Sequence, residues 1–153
     1  MNFYGVSVTH FISRDLKPSN TVNTWDDPRA KARKGDGNLY RGVGYLQITW
    51  KINYYRFALE MQNDAANGGQ AIFDNIMNGG TETIKNNYAW ESAGWVWAND
   101  ITGWGSPQSN FYKGVSEKLN SYKIVEKITR SINGGTAGLN DRYMYYELIS
   151  TVL

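Results

Sequence analysis

The chain has 153 residues, 41% hydrophobic and 20% charged, with a formal net charge of +2 and no cysteine. That length suffices for one globular domain with a buried core, and the lack of cysteine excludes disulfide scaffolds, thiolate nucleophiles and cysteine metal sites. No apolar run approaches the roughly 18 residues of a bilayer span, and Lys and Arg are scattered rather than gathered into the basic stripe of a nucleic-acid binder, so neither membrane insertion nor nucleic acid is expected.

Residues 1–34 show weak periodicity and carry turn formers at Lys17-Pro18-Ser19-Asn20 and Asp26-Asp27-Pro28. They predict mostly loop, with at most a short helix near the start. Residues 1–14 lack a basic start followed by an apolar stretch, so no signal peptide is expected. Gly35-Asp36-Gly37-Asn38 predicts a turn, and residues 38–48 at most a small β-hairpin, in which Gly42 and Gly44 let the backbone approach another group closely. Thr49 is the expected N-cap of a helix carrying Ile52, Tyr55 or Arg56, and Leu59 on one face.

Residues 63–69 predict a connection and Gln70 to Met77 a short helix, stopped by Asn78-Gly79-Gly80. Thr81 is the expected cap of the next helix, with Ile84, Tyr88, Glu91, Trp95 and Ala98 on one face. Residues 100–110 contain Gly103, Gly105 and Pro107 and predict an irregular loop. From Gly114 to Ile132 an apolar stripe of Val115, Leu119, Tyr122, Val125, Ile128 and Ile132 predicts one helix, ended by Asn133-Gly134-Gly135. Asn140 or Asp141 then caps a last helix through Leu148. The fold class predicted is mainly α, a single domain over residues 1–153.

Aromatic residues stand out: 11 Tyr, 6 Trp and 5 Phe, or 14% of the chain. Rings of this kind fill cores, and they also stack on the flat C–H faces of sugars. Three ordered motifs sharpen that choice. Residues 40–54 read Tyr-Arg-Gly-Val-Gly-Tyr-Leu-Gln-Ile-Thr-Trp-Lys-Ile-Asn-Tyr, residues 92–97 read Ser-Ala-Gly-Trp-Val-Trp, and Ile128-Thr129-Arg130 is followed by Ile132-Asn133-Gly134-Gly135, Gly138-Leu139 and Asp141-Arg142. Together they resemble the carboxy-terminal two-thirds of family-19 glycoside hydrolases, the chitinases and phage endolysins, over about residues 36–145. Val43 departs from the pattern, standing where that family usually has an arginine.

The resemblance implies a lysozyme-like helical domain acting on β-1,4-linked N-acetylglucosamine polymers, peptidoglycan before chitin. It implies that Gln47, Asn53, Tyr54 and Asn133 bind sugar, that Thr49 positions the attacking water, and that Arg142 interacts with the catalytic carboxylates. Amides suit N-acetyl and hydroxyl groups because they donate and accept, and an arginine beside a carboxylate holds it ionised. Each residue also has a plain structural use: Gln47 and Asn53 as backbone partners, Thr49 as a helix cap, Asn133 as a helix stop and Arg142 as a surface charge.

Inverting hydrolysis needs two carboxyl groups, one to protonate the leaving oxygen and one to activate water, and no cofactor or metal. The family's acid is a glutamate well upstream of the glutamine motif, yet no glutamate precedes Glu60. By the family's spacing it would fall at or before Met1, so the domain is expected to lack that family's amino-terminal catalytic helix. Three explanations stay open. An amino-terminal segment or a second chain supplies the acid; an aspartate such as Asp15 or Asp26 (with Asp27 beside it) has taken over; or the chain is a non-catalytic glycan-binding or phage structural module. Asp36 is expected to be a turn residue. His10, the one histidine, is expected to be an ordinary partly buried side chain, since nothing positions a nucleophile beside it. An enzyme of this kind would act on the cell wall.

Overall fold

The computed structural model describes Lys31, residues 33–64 and 68–152, and the backbone of two short strands near the start. The strands β1 (Asn2–Phe3) and β2 (Val6–Ser7) pair antiparallel, with Asn2 opposite Ser7 and Phe3 opposite Val6. Helices dominate the rest: α1 (Asp36–Leu39), α2 (Lys51–Gln62), α3 (Gln70–Asn87), α4 (Ala89–Ala98), α5 (Pro107–Ser116), α6 (Ser121–Asn133) and α7 (Leu139–Ser150). The mainly α class is therefore the observed one. Contacts divide the chain into two compact units, Met1–Trp95 and Val96–Leu153.

The core of the first unit is aromatic. Tyr54, Phe57, Ala58 and Met61 recur at helical spacing on α2 and are buried beside Tyr55. The buried face is thus rotated from the predicted one, because Ile52 and Leu59 stay partly exposed while consecutive tyrosines turn inward. Tyr55 meets Phe73 of α3 edge to face at 5.5 Å, and Phe57 meets Trp95 of α4 at 6.0 Å. Edge-to-face packing of this kind adds about 0.5–1.5 kcal/mol to the area buried.

Several element boundaries differ from those expected. The Gly35–Asn38 turn continues into α1, and β1 and β2 fall within a stretch expected to be loop or helix. The break predicted at Asn78-Gly79-Gly80 is present as a non-helical kink at Gly80 (φ 52°, ψ −128°) that divides α3 into two helical parts, whereas the helix predicted from Thr81 to Ala98 is interrupted at Tyr88, between α3 and α4. A side chain at Gly80 would collide with the Leu39 carbonyl, so only glycine lets the kink approach the end of α1. The Thr81 hydroxyl does not cap; it donates to Leu39 O at 2.9 Å.

In the second unit, the helix predicted from Gly114 to Ile132 is two helices. Asn120 caps α6 by accepting from Lys123 N at 3.0 Å, and its side chain ends the continuity that the apolar stripe suggests. Pro107, expected in a loop, is the first residue of α5, whose cap Ser106 accepts from Ser109 N. Gly134 closes α6 with a left-handed φ of 69°, as its sequence predicts. Gly138, rather than Asn140 or Asp141, precedes α7.

Candidate functional site

Residues 40–50 form a closed loop built for display. Val43 N donates to Ile48 O at 3.1 Å across the one bridge of the predicted hairpin, and Gln47 N donates to Gly44 O at 3.1 Å to close a turn over residues 44–47. Trp50 N donates to Tyr40 O at 3.1 Å, tying the two ends together. Ile48 and Tyr40 are the anchors, 1% and 6% exposed.

Three side chains fasten this loop to the helices behind it. Tyr40 donates its hydroxyl to Met77 O at 2.8 Å, Tyr54 donates to Arg41 O at 2.7 Å, and Thr81 donates to Leu39 O. Burial raises the pKa of both tyrosines above the ordinary value of 10.0, so each stays a hydroxyl donor. Below them Lys51 pairs with Asp36 at 3.0 Å, and Asp36 also accepts from Arg33 N at 2.6 Å. Asp36 thus works as a structural acid, as its turn sequence suggests.

Two non-glycine residues in the loop hold left-handed φ: Gln47 at 54° and Trp50 at 71°. Such conformations cost of order 1–3 kcal/mol each and persist where the surroundings impose them. Here they turn the Gln47 amide to the surface, with Nε2 donating to Gly44 O at 3.3 Å, and leave the Trp50 ring 71% exposed. Gly42 makes room for the amide, since a Cβ there would lie 2.8 Å from Gln47 Oε1.

Trp50, and not Thr49, occupies the cap position of α2, so the predicted Thr49 cap is corrected. The Thr49 hydroxyl has no hydrogen-bond partner among the described residues, while its carbonyl accepts from Asn53 Nδ2 at 2.9 Å. Asn53 and Tyr54 are 3% and 0% exposed. Tyr54 has no ring face open to a sugar; it supports the Arg41 carbonyl, and Asn53 holds Thr49. Gln47, Thr49, Asn53 and Tyr54 are thus brought together in the first unit.

Asn133 and Arg142 are brought together in the second. Asn133 Nδ2 donates to Ala137 O at 2.9 Å, and Arg142 Nη1 donates to the same carbonyl at 2.7 Å. One carbonyl thereby gathers the end of α6 and the first turn of α7. Beside this clamp lies an open concavity of about 600 Å³, lined in part by Tyr122, Lys123, Glu126, Thr136 and Asp141. Hydrogen bonds from Lys123 and Arg130 hold the Glu126 carboxyl below its ordinary pKa of 4.5.

Asp15, Asp26, Asp27 and His10 lie outside the described residues. Among the described residues no three His, Cys, Asp or Glu side chains gather where a metal could sit. The sequence reading missed two exposed rings, Tyr45 in the loop and Trp90 beside it, 61% and 60% exposed and in contact with centroids 4.1 Å apart and planes tilted by 31°. Their neighbourhood arises from a turn meeting a helix, which no single-element periodicity encodes.

Comparison with known proteins finds the chain 28% identical, over 119 residues, to a Haemophilus influenzae protein named as a glycosyl hydrolase family 19 domain-containing protein. The match covers 76% of this chain and 44% of that protein, so this chain spans less than half of its length. The aligned stretch is longer than either compact unit and so draws on both. No family model matches the chain, and no solved structure does.

Proposed function

We propose that this chain belongs to a glycoside hydrolase acting on β-1,4-linked N-acetylglucosamine polymers, with peptidoglycan the substrate ahead of chitin. The observation that carries the proposal is the strained 40–50 loop, which exposes the Gln47 amide and the Trp50 indole on a rigid aromatic base with the half-buried Thr49 between them. The similarity to a protein named for glycosyl hydrolase family 19 supports the reaction class. Preference for peptidoglycan rests on the resemblance of the motifs to compact endolysins.

In this reading Gln47 hydrogen-bonds the sugar, Thr49 positions the attacking water, and Asn53 keeps Thr49 in place through its carbonyl. Arg142 spends one donor on Ala137 and has others to steady a carboxylate, and Asn133 binds sugar beside it. The acid and base are Asp15 and Asp26, or a glutamate from an amino-terminal segment or second chain. Inversion then follows from protonation of the leaving oxygen on one face and water attack from the other.

A second reading, a glycan-binding module without catalysis, is favoured by the engagement of two described carboxylates next to the loop in ion pairs, Asp36 with Lys51 and Glu82 with Arg41. Turbidity of purified sacculi separates the two. The hydrolase reading predicts clearing that Thr49→Ala abolishes in a folded protein; persistent clearing by that variant overturns the role of Thr49. Retention on sacculi with no clearing overturns catalysis by this chain and leaves the binding module.

A further inference from the structure

Tyr45 and Trp90 have no part in the chemistry above, and neither belongs to the buried core. Tyr45 stands at the tip of the 44–47 turn, and Trp90 lies in the first turn of α4. Their centroids are 4.1 Å apart with 31° between the planes, so each ring spends one face on the other. Each still keeps about 60% of its surface in solvent (61% and 60%). Water-exposed apolar area of that size is unfavourable unless something covers it.

The backbone is arranged to make the pair. Gly44, at φ 77°, brings the turn so close to α4 that a Cβ would sit 2.8 Å from Ser92 Oγ and 3.4 Å from Ala89 O. Ala89 immediately precedes Trp90, so this approach sets Tyr45 over the indole. Tyr and Trp held this way offer a large contact area with little rotamer entropy left to lose on binding. Residues 42–50 carry no charged side chain, and Gln47, the last residue of the same turn, is exposed and donates its amide to the carbonyl of Gly44, the residue before Tyr45. An uncharged ligand with an apolar face and hydrogen-bonding edges fits this surface, and a pyranose has both: its C–H bonds carry the positive charge density that aromatic faces attract.

We propose that the Tyr45–Trp90 pair is a sugar-stacking subsite that takes the C–H face of one pyranose of a β-1,4-linked amino-sugar chain while Gln47 bonds its substituents. The proposal rests on the glycan reading of the 40–50 loop and adds to it the residues that grip the polymer.

The test is calorimetric titration of the full chain with the β-1,4-linked N-acetylglucosamine hexamer. Tyr45→Ala and Trp90→Ala should each weaken binding about tenfold, the worth of one good aromatic contact with its buried area. Trp90→Phe should retain most of the affinity because it keeps a ring at that position, and Tyr112→Ala, which removes an exposed ring from α5, should change nothing. Thermal unfolding of each variant checks that the fold is intact. Unchanged affinity in Tyr45→Ala and Trp90→Ala, with loss in Gln47→Ala, overturns the stacking subsite and leaves the glycan reading standing. No binding by the unsubstituted chain overturns both.

Discussion

Replacing Gly44 by alanine tests how the loop is held. Its φ of 77° is left-handed, which costs an alanine roughly 1–2 kcal/mol. The new Cβ would lie 2.8 Å from Ser92 Oγ and 3.4 Å from Ala89 O. Ser92 is 1% exposed and spends its hydroxyl on Ala89 O at 3.2 Å, so it has little room to turn away. Crowding of a packed site adds about 1–3 kcal/mol, for a total of about 2–5 kcal/mol. Urea denaturation reads this as a lower midpoint at unchanged slope. Ser92→Ala alone should cost about 1 kcal/mol for its lost bond. In the double variant the clash is relieved and only the φ cost persists, so the two substitutions should be less than additive by at least about 1 kcal/mol. Strict additivity, or a Gly44→Ala within about 0.5 kcal/mol of the unsubstituted chain, would refute the close approach of the turn to α4.

Tyr54→Phe removes the donor to Arg41 O while keeping the buried ring, and should cost about 1 kcal/mol in urea melts. Asn133→Ala and Arg142→Ala remove two donors to one Ala137 carbonyl, so each alone leaves that oxygen a partner. The double variant should therefore lose more stability than the sum of the singles, as a double-mutant cycle will read. Glu126 has a folded pKa below its ordinary 4.5, so its contribution is fully present above that value and is lost as pH falls through the lowered one. Glu126→Gln should flatten the acid limb of the stability–pH curve; an unchanged limb would show that the Lys123 and Arg130 bonds add nothing.

The mainly helical class was legible because helix stops have local causes: Gly134 follows Asn133 where a left-handed residue is needed, and Gly80 kinks α3 where no other residue fits. The break between α5 and α6 was hidden by a stripe that runs on from Val115 to Leu119 and Tyr122, although the Asn120 cap that makes the break stands in the sequence. Pro107 was counted as a loop former when, after Ser106, it starts a helix. Thr49 and Asn53 were singled out by motif, but the hydrogen bond from Asn53 Nδ2 to the Thr49 carbonyl is one that spacing does not reveal. Tyr54 was grouped with the sugar binders as part of the 40–54 motif, and its burial follows from the phase of α2.

The central claim is that the 40–50 loop recognises an amino-sugar polymer. Co-sedimentation of the full protein with purified sacculi and with chitin, beside the Gln47→Ala variant, tests it most directly. The account predicts retention of the unsubstituted chain and its loss in a Gln47→Ala variant that melts normally. Retention unchanged by Gln47→Ala would detach recognition from this loop, and no retention on either polymer would contradict the account.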